Sequence, residues 1–420
     1  MKATLINPAV AWDALDSFWI RHGLASISAY AKSRGHDIDL IDLRRSVMKE
    51  KDKEAFIDWS LFDNQIARSQ SKVFGLSVLS ANFDFAKECI KRIRKIKPDC
   101  DIVAGGIHVT VEPEESKDLD ADFYVYGEGE IVFSEILEGN LEHERRFDNP
   151  KPDLDSLPFA DREIFQPLRE LPIGGSLEEP FSTIIIGRGC PYNCNFCQPA
   201  ERTLFGRKVR MRSVDNVLAE LLELKAKYGL ASFAIHDDAF SSFPKYISEF
   251  VEKKMKVLPE ATFYCQGRAD QITKWPEMFK ELYKAGLRII SVGFESGSDR
   301  VLDFLRKGTT SEQNIEAAEI LNDIGIDIWS NLMVGIPTET TSEVIETVQM
   351  AKRIKEIQPR AMLSWASYTP HPGSDLFEYC KENDLSLIKH SADYRRYFEP
   401  NNPKIKGVDY NFLSWAIGQV

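Results

Sequence analysis

Twice along this chain, short apolar runs alternate with amphipathic stretches, and a proline-rich segment separates the two series. This alternation constrains the fold more than any other feature. Strands joined by helical crossovers must run parallel, and a parallel sheet must be covered on both faces. In the first series the apolar runs predict strands at Ala3–Asn7, Ile38–Ile41, Lys72–Leu79, Asp101–Ala104 and Phe123–Val125. Helical periodicity predicts helices at Gly23–Arg34, Phe83–Lys95 and Glu130–Glu138.

Five strands with helices between them predict an α/β domain over residues 1–140, a doubly wound parallel sheet of flavodoxin-like or Rossmann-like type. Sheets of this kind bind ligands beyond the carboxyl ends of their strands. Those ends carry Asn7-Pro8, Ser77-Val78-Leu79-Ser80, Gly105-Gly106-Ile107-His108 and Gly127-Glu128-Gly129-Glu130. Small residues at the exits let a large ligand come close to the backbone. Residues 141–180 hold Pro150, Pro152, Pro158, Pro167 and Pro172 with Gly174-Gly175, which predicts a linker.

The second series predicts strands at Ser182–Gly187, Ser232–Ile235, Thr262–Gln266, Ile289–Gly293, Asp327–Val334 and Met362–Ala366. Helices are predicted at Val214–Lys227, Lys245–Lys256, Glu277–Ala285, Ser311–Ile324 and Ser342–Ile357. Six such units over residues 181–380 favour a partial (β/α)6 barrel, whose chemistry would lie at the C-terminal strand ends. Residues 381–420 predict a short helical extension with aromatics.

At 420 residues the chain has room for more than one domain. A net charge of −12 argues against a general nucleic-acid binder, which would show a basic face. No apolar run approaches the ~18 residues of a membrane span, and the first residues lack a secretory h-region, so a cytoplasmic protein is expected. Cys89, Cys100, Cys265 and Cys380 are widely spaced and read as buried reduced thiols.

The other three cysteines, Cys190, Cys194 and Cys197, fall within eight residues as C-x-x-x-C-x-x-C, with Phe196 before the last. A closed zinc site or an electron-transfer cluster wants four ligands. Three thiolates on a 4Fe–4S cluster leave one iron open for a substrate or cofactor. The plainer alternative is a redox-inert metal knuckle or a disulfide-prone loop.

This spacing, with the aromatic in this place, resembles the signature of the radical S-adenosylmethionine enzymes. The resemblance implies a 4Fe–4S cluster on Cys190, Cys194 and Cys197, with S-adenosylmethionine chelated at the open iron. Further strand ends match the family in order. Asp237 and Asp238 stand where it faces the methionine amine, and Arg268 where it often holds a substrate carboxylate. Glu295 and Ser296 lie in its ribose-contacting element, and Gly335 in the stretch that packs near adenine.

A Rossmann-like domain ahead of the barrel resembles the cobalamin-binding branch of that family. Its fingerprint is D-x-H-x-x-G, then S-x-L, then G-G. Ser77-Val78-Leu79 and Gly105-Gly106 supply the last two elements, and Gly127 and Glu128 follow at the next strand exit. The first element is broken, because the histidine slot falls on Lys32 and the aspartate slot on Tyr30. The cobalt then has no axial histidine there. His108 is a candidate contact, with an ordinary surface histidine as the alternative.

The resemblance thus implies cobalamin as a third cofactor and, as the commonest outcome, methyl transfer to an unactivated centre. It leaves open a radical enzyme without cobalamin whose first domain recognises substrate, and a non-catalytic corrinoid or iron–sulfur sensor. The expected partners are a small-molecule, lipid or peptide substrate and a one-electron donor such as flavodoxin or ferredoxin. A basic stretch of Arg202, Arg207, Lys208, Arg210 and Arg212 could hold an anionic substrate or that donor, or be a solvated loop.

Overall fold

The computed structural model describes residues 1–8, 19–48, 56–141, 150–166, 170–197, 204–206, 208–390 and 403–420. Two compact units emerge: Met1–Arg169 with Gln198–Gly206 and Ile388–Phe398, and Glu170–Cys197 with Arg207–Leu387 and Glu399–Val420.

Unit 1 is built from β1 (Lys2–Asn7), α1 (His22–Ser33), β2 (Asp37–Asp42), α2 (Trp59–Arg68), β3 (Val73–Ser77), α3 (Phe83–Ile96), β4 (Asp101–Gly105), α4 (Ile107–Val111), β5 (Phe123–Val125) and α5 (Glu130–Leu137). Its five strands are parallel in the order β2-β1-β3-β4-β5, which is the flavodoxin-like arrangement. Strand residues alternate between two covered faces. Ile6, Phe74, Leu76 and Ile102 join the α3 side with Cys89 and Ile93, while Leu5, Val73, Val103 and Val125 join the α1 and α5 side. Each such buried aliphatic side chain contributes about 1.5–3 kcal/mol.

Unit 1 departs from the sequence expectation in several details, the short helix α4 among them. Helix α2 was not foreseen, since it buries only Phe62 and Ile66. The run Lys72–Leu79 is strand only over Val73–Ser77, because the Asn82 side chain takes the Leu79 N–H at 2.7 Å and turns the chain out of the ladder.

Unit 2 holds six parallel strands: β6 (Phe181–Ile184), β7 (Ser232–Ile235), β8 (Thr262–Gly267), β9 (Leu287–Glu295), β10 (Asp327–Val334) and β11 (Met362–Ser367). They lie in sequence order from β6 to β11, and among the described residues the two end strands do not pair, so the barrel is partial. The helices that cover it are α6 (Val214–Tyr228), α7 (Pro244–Val257), α8 (Ala269–Lys274), α9 (Pro276–Lys284), α10 (Asp299–Phe304), α11 (Ser311–Ile324) and α12 (Thr341–Ile357), followed by α13 (Asp375–Glu382) and α14 (Tyr410–Ile417). Local chemistry sets several ends. Ser213 caps α6 and Gly229 ends it at φ 72°; Thr310 and Gln313 form a capping box on α11, which Gly325 ends at φ 95°.

The expected strand Ser182–Gly187 is split. It leaves the sheet after Ile184, because the Ile186 N–H donates to Asp237 Oδ1 at 2.8 Å; Gly187–Arg188 then pairs antiparallel with Arg210–Met211. The C-terminal segment contributes α14, whose Tyr410, Leu413 and Ala416 pack with Val334, Val344 and Val348.

One ion pair gives a pH prediction. Arg300 donates to both oxygens of Glu343, and the Thr340 N–H adds a bond at 2.7 Å; together, Arg300 first, they hold the carboxyl near pKa 2. A depressed carboxyl stabilises the fold above its unfolded pKa and loses that contribution as pH falls toward the folded value. Wild type should therefore exceed Glu343→Gln by about 1–2 kcal/mol near neutrality, after allowance for solvent screening. The difference should shrink between pH about 4.5 and about 2. Urea midpoints of both proteins across that range are the check, and a pH-independent difference would refute the pairing.

Candidate active site

The cysteine loop leaves the C-terminal edge of the unit 2 sheet just after β6, and runs without helix or strand from Gly189 to Cys197. Cys194 is buried, Cys190 half-buried, and Cys197 exposed as a residue. The Cys197 thiol is nevertheless pushed up to about 12, first by removal from water, then by Asp238, Cys194 and Cys190, with Lys307 opposing. These charges belong to one neighbourhood.

Among the described residues, no three His, Cys, Asp or Glu side chains are grouped as ligands of a single metal ion. A cluster asks for less, because each thiolate binds a different iron and the sulfurs need not be mutual neighbours. Cys89 and Cys100 lie in unit 1, and Cys265 and Cys380 are buried in β8 and α13, so the loop's donor set is three thiols. Three sulfur donors on one loop fit an iron–sulfur cluster with an open iron.

The loop is held from several sides. The Arg268 guanidinium lies 3.8 Å from the Tyr192 ring centre, and Lys307 Nζ lies 5.8 Å from that of Phe196. The Tyr192 hydroxyl meets the Gln271 amide, and the Asn195 side chain donates to Phe304 O at 2.6 Å. Tyr192, Gln271, Asn195 and Lys307 were missed in the sequence because their partners are remote along the chain.

The other expected residues sit around this edge with varied surroundings. Asp237 is buried, one oxygen fastened to the Ile186 N–H and the other without a hydrogen-bond partner; burial, then the neighbouring Asp238, raises its carboxyl to about 7. Asp238 is exposed. Glu295 ends β9 at φ 64° and accepts from Lys307 Nζ at 2.9 Å. A non-glycine residue in that backbone region is strained by about 1–3 kcal/mol, as is common at ligand sites. Ser296 is wholly buried and bonds Thr347 Oγ1 at 3.1 Å, so it anchors the strand exit to α12. Gly335, at φ 74°, lies under Leu413, and Glu339 accepts its N–H at 2.7 Å. Arg268, foreseen as a substrate-carboxylate holder, is only 7% exposed, and its nitrogens meet Asp270, Lys307 O and the loop's Cys194.

In the basic stretch, Arg202 and Arg207 lie outside the described residues. Arg212 is not a solvated residue: it donates to Asn216 Oδ1 at 2.7 Å and pairs with buried Glu220.

Unit 1 brings its strand exits together by parallel register, which sets Asn7 beside Asp42, Ser77 beside Gly105, and Gly105 beside Val125. Asn7 donates to Asp42 at 2.9 Å, and Arg44 forks onto the same carboxylate. Leu79 and Gly127 are half-buried at this edge, and Glu128 is buried. Gly106, at φ 105°, presses on the Val78 backbone, so its lack of a side chain serves the crossing of two loops. Thr110 was missed; its hydroxyl donates to Gly106 O and accepts from the Gly127 N–H, both at 3.0 Å.

His108 is not a surface histidine. It is 0% exposed, 3.0 Å from Ser80 Oγ through Nδ1 and 4.6 Å from the Phe83 ring, and burial lowers it to about 4 despite Glu115. The reason is the turn into α4, which carries it into the sheet's covering layer. Among the described residues, no helix is long and apolar enough to cross a membrane.

Comparison with known proteins agrees with both units. Residues 184–351 match the Radical SAM superfamily, and residues 10–137 match the B12 binding domain. An uncharacterized methyltransferase of Pyrococcus horikoshii is 27% identical over 401 residues, 89% of this chain and 81% of that protein. The anaerobic magnesium-protoporphyrin IX monomethyl ester cyclase of Rubrivivax gelatinosus is 27% identical over 86% of this chain and 66% of its own. Among solved structures, the cobalamin-dependent S-adenosylmethionine radical enzyme OxsB, with aqua-cobalamin and S-adenosylmethionine bound, aligns with a TM-score of 0.76 at 18% identity, over 99% of this chain and 66% of that one. That last likeness is one of fold, and the chain spans about two thirds of the cyclase and of OxsB. With the three-thiol loop at the barrel's first strand exit and a flavodoxin-like unit before it in the sequence, the chain carries a B12 binding domain followed by a Radical SAM superfamily domain.

Proposed function

We propose that this cobalamin-dependent radical S-adenosylmethionine enzyme transfers a methyl group to an unactivated centre of a small-molecule, lipid or peptide substrate. The observation that carries the reading is the pairing, in one chain, of the open three-thiol loop with a B12-type sheet. The methyltransferase among its relatives, matched over most of both chains, supports the reaction. When bound, the cluster with S-adenosylmethionine supplies one-electron cleavage of a sulfonium, and the corrinoid supplies a methyl carrier.

The chain's own residues divide that work. Cys190, Cys194 and Cys197 would hold the cluster. The unpartnered oxygen of Asp237, with Asp238 beside it, would accept from the methionine ammonium. Glu295 would take the ribose hydroxyls, with Lys307 Nζ holding its other lone pairs. Phe196, Ser296 and Gly335 would shape the rest of that pocket. In unit 1, Ser77, Leu79, Gly105, Gly106, Gly127 and Glu128 would flank the corrinoid tail, while His108 stays neutral and interior. The electron would come from a flavodoxin or ferredoxin in the cytoplasm.

A second reading, oxidative ring formation on the same parts, is favoured by the cyclase relative. The test is anaerobic purification with iron, sulfide and hydroxocobalamin, followed by a spectrum of the desalted protein. Retained cluster and corrinoid bands are expected, and S-adenosylmethionine consumed with a methylated product would support methyl transfer. Cluster without corrinoid would overturn the cobalamin assignment for unit 1, and dehydrogenated product without added methyl would favour the cyclase reading.

A further inference from the structure

Arg268 stands at the end of β8 where an incoming carboxylate would be expected, yet its nitrogens are turned inward. Nε donates to Asp270 Oδ1 at 2.9 Å, Nη2 to Lys307 O at 2.5 Å, and Nη1 points to Cys194 Sγ at 3.7 Å, within hydrogen-bonding reach of sulfur. The planar guanidinium also stacks on Tyr192, two residues before Cys194, at 3.8 Å. With 7% of the residue exposed, this cation is little screened by solvent.

We propose that Arg268 is a positioning residue for the iron–sulfur cluster, which sets its reduction potential through Cys194 and fixes its loop through Tyr192. The inference rests on the reading of Cys190, Cys194 and Cys197 as cluster ligands. Reduction adds one electron to the cluster, delivered by the external donor, and no bond to the protein changes. A buried positive charge with an N–H on a ligand sulfur stabilises the reduced, more negative form, so it raises the potential and eases electron entry. Other charges act beside it. Asp270 neutralises part of the guanidinium, Lys307 is already paired with Glu295, and Asp238 near Cys197 acts in the opposite direction.

The direction is therefore specific. Removing the guanidinium should make the cluster harder to reduce, and removing Asp270's charge should make it easier. A side chain at position 268 that only filled space would leave the midpoint unmoved when its charge is removed.

The experiment is an anaerobic redox titration of the reconstituted full chain, followed by electron paramagnetic resonance, with iron and sulfide content measured on each sample. Arg268→Gln should keep its iron while its midpoint moves to a more negative potential. Arg268→Lys, which keeps the charge and loses the stack, should fall between Gln and wild type. Asp270→Asn should shift to a less negative potential. Wild-type iron content with an unchanged midpoint in Arg268→Gln would overturn the proposal. If Arg268→Gln loses its iron, Asp270→Asn decides, since it leaves the guanidinium in place; an unchanged midpoint there overturns the proposal. A wild-type chain that takes up no cluster would instead defeat the cysteine assignment itself, before any variant is compared.

Discussion

Cys194→Ala should abolish cluster assembly, taking iron from about four per chain to background and S-adenosylmethionine cleavage with it. The loss should exceed about 100-fold, because outer-shell changes alone cost about 10–100-fold at metal sites. Cys194 is the buried residue of the three and the one whose sulfur Arg268 reaches. Cys265, buried in β8, and Cys380, in α13, are held within regular elements of the same unit. Unit 1 should remain folded, since its two apolar clusters contain none of the loop. The measurements are iron content and 5′-deoxyadenosine formation after reduction. Cleavage at the wild-type rate would show that the triad is not the ligand set.

The second large effect is expected in unit 1. A Cβ on Gly106 would stand 2.7 Å from Val78 O and 2.8 Å from Val78 N, on a backbone at φ 105°. The neighbouring bonds leave little slack: the Val78 N–H donates to Gly105 O at 2.8 Å, and the His108 N–H to Val78 O at 3.1 Å. Gly106→Ala must therefore either part the β3 and β4 exits or strain the turn. Left-handed strain and overpacking together should cost about 2–4 kcal/mol. Hydrogen-exchange protection of the Val78 and His108 amides should fall, the urea midpoint of unit 1 should drop, and hydroxocobalamin should no longer survive desalting. Gly23→Ala is the control, because a Cβ there meets nothing within 4 Å and Gly23 lies inside α1, so it should be neutral or slightly stabilising. Unchanged protection in Gly106→Ala would mean the crossing is more yielding than its geometry indicates.

Both predictions concern residues that stand out in the sequence, but for reasons that only partly coincide. Gly105-Gly106 reads as room for a cofactor; in the fold, Gly106 first makes room for Val78. Arg268 reads as a substrate holder and is instead packed on the cysteine loop. His108 reads as a surface residue or cobalt contact, and lies inside the α3–α4 layer against Phe83.

The periodicity of apolar residues determined the eleven sheet strands and the long covering helices of both units, because burial on one or two faces is a local demand that each segment meets by itself, while the short helices α2, α4, α8 and α10 carry too few buried positions to show it. The C-x-x-x-C-x-x-C spacing likewise determined the class of chemistry, since three sulfurs on one loop need no distant partner to be recognised. Only the tertiary structure decided the strand order β2-β1-β3-β4-β5, the break after Ile184, and the partners of Asp237, Glu295 and Arg268. The bonds of Glu295 to Lys307, Asp237 to Ile186 and Arg268 to Cys194 join residues 12, 51 and 74 positions apart. Side-chain types at single positions state what can be donated or accepted, and the fold alone brings the two ends of such a bond within reach.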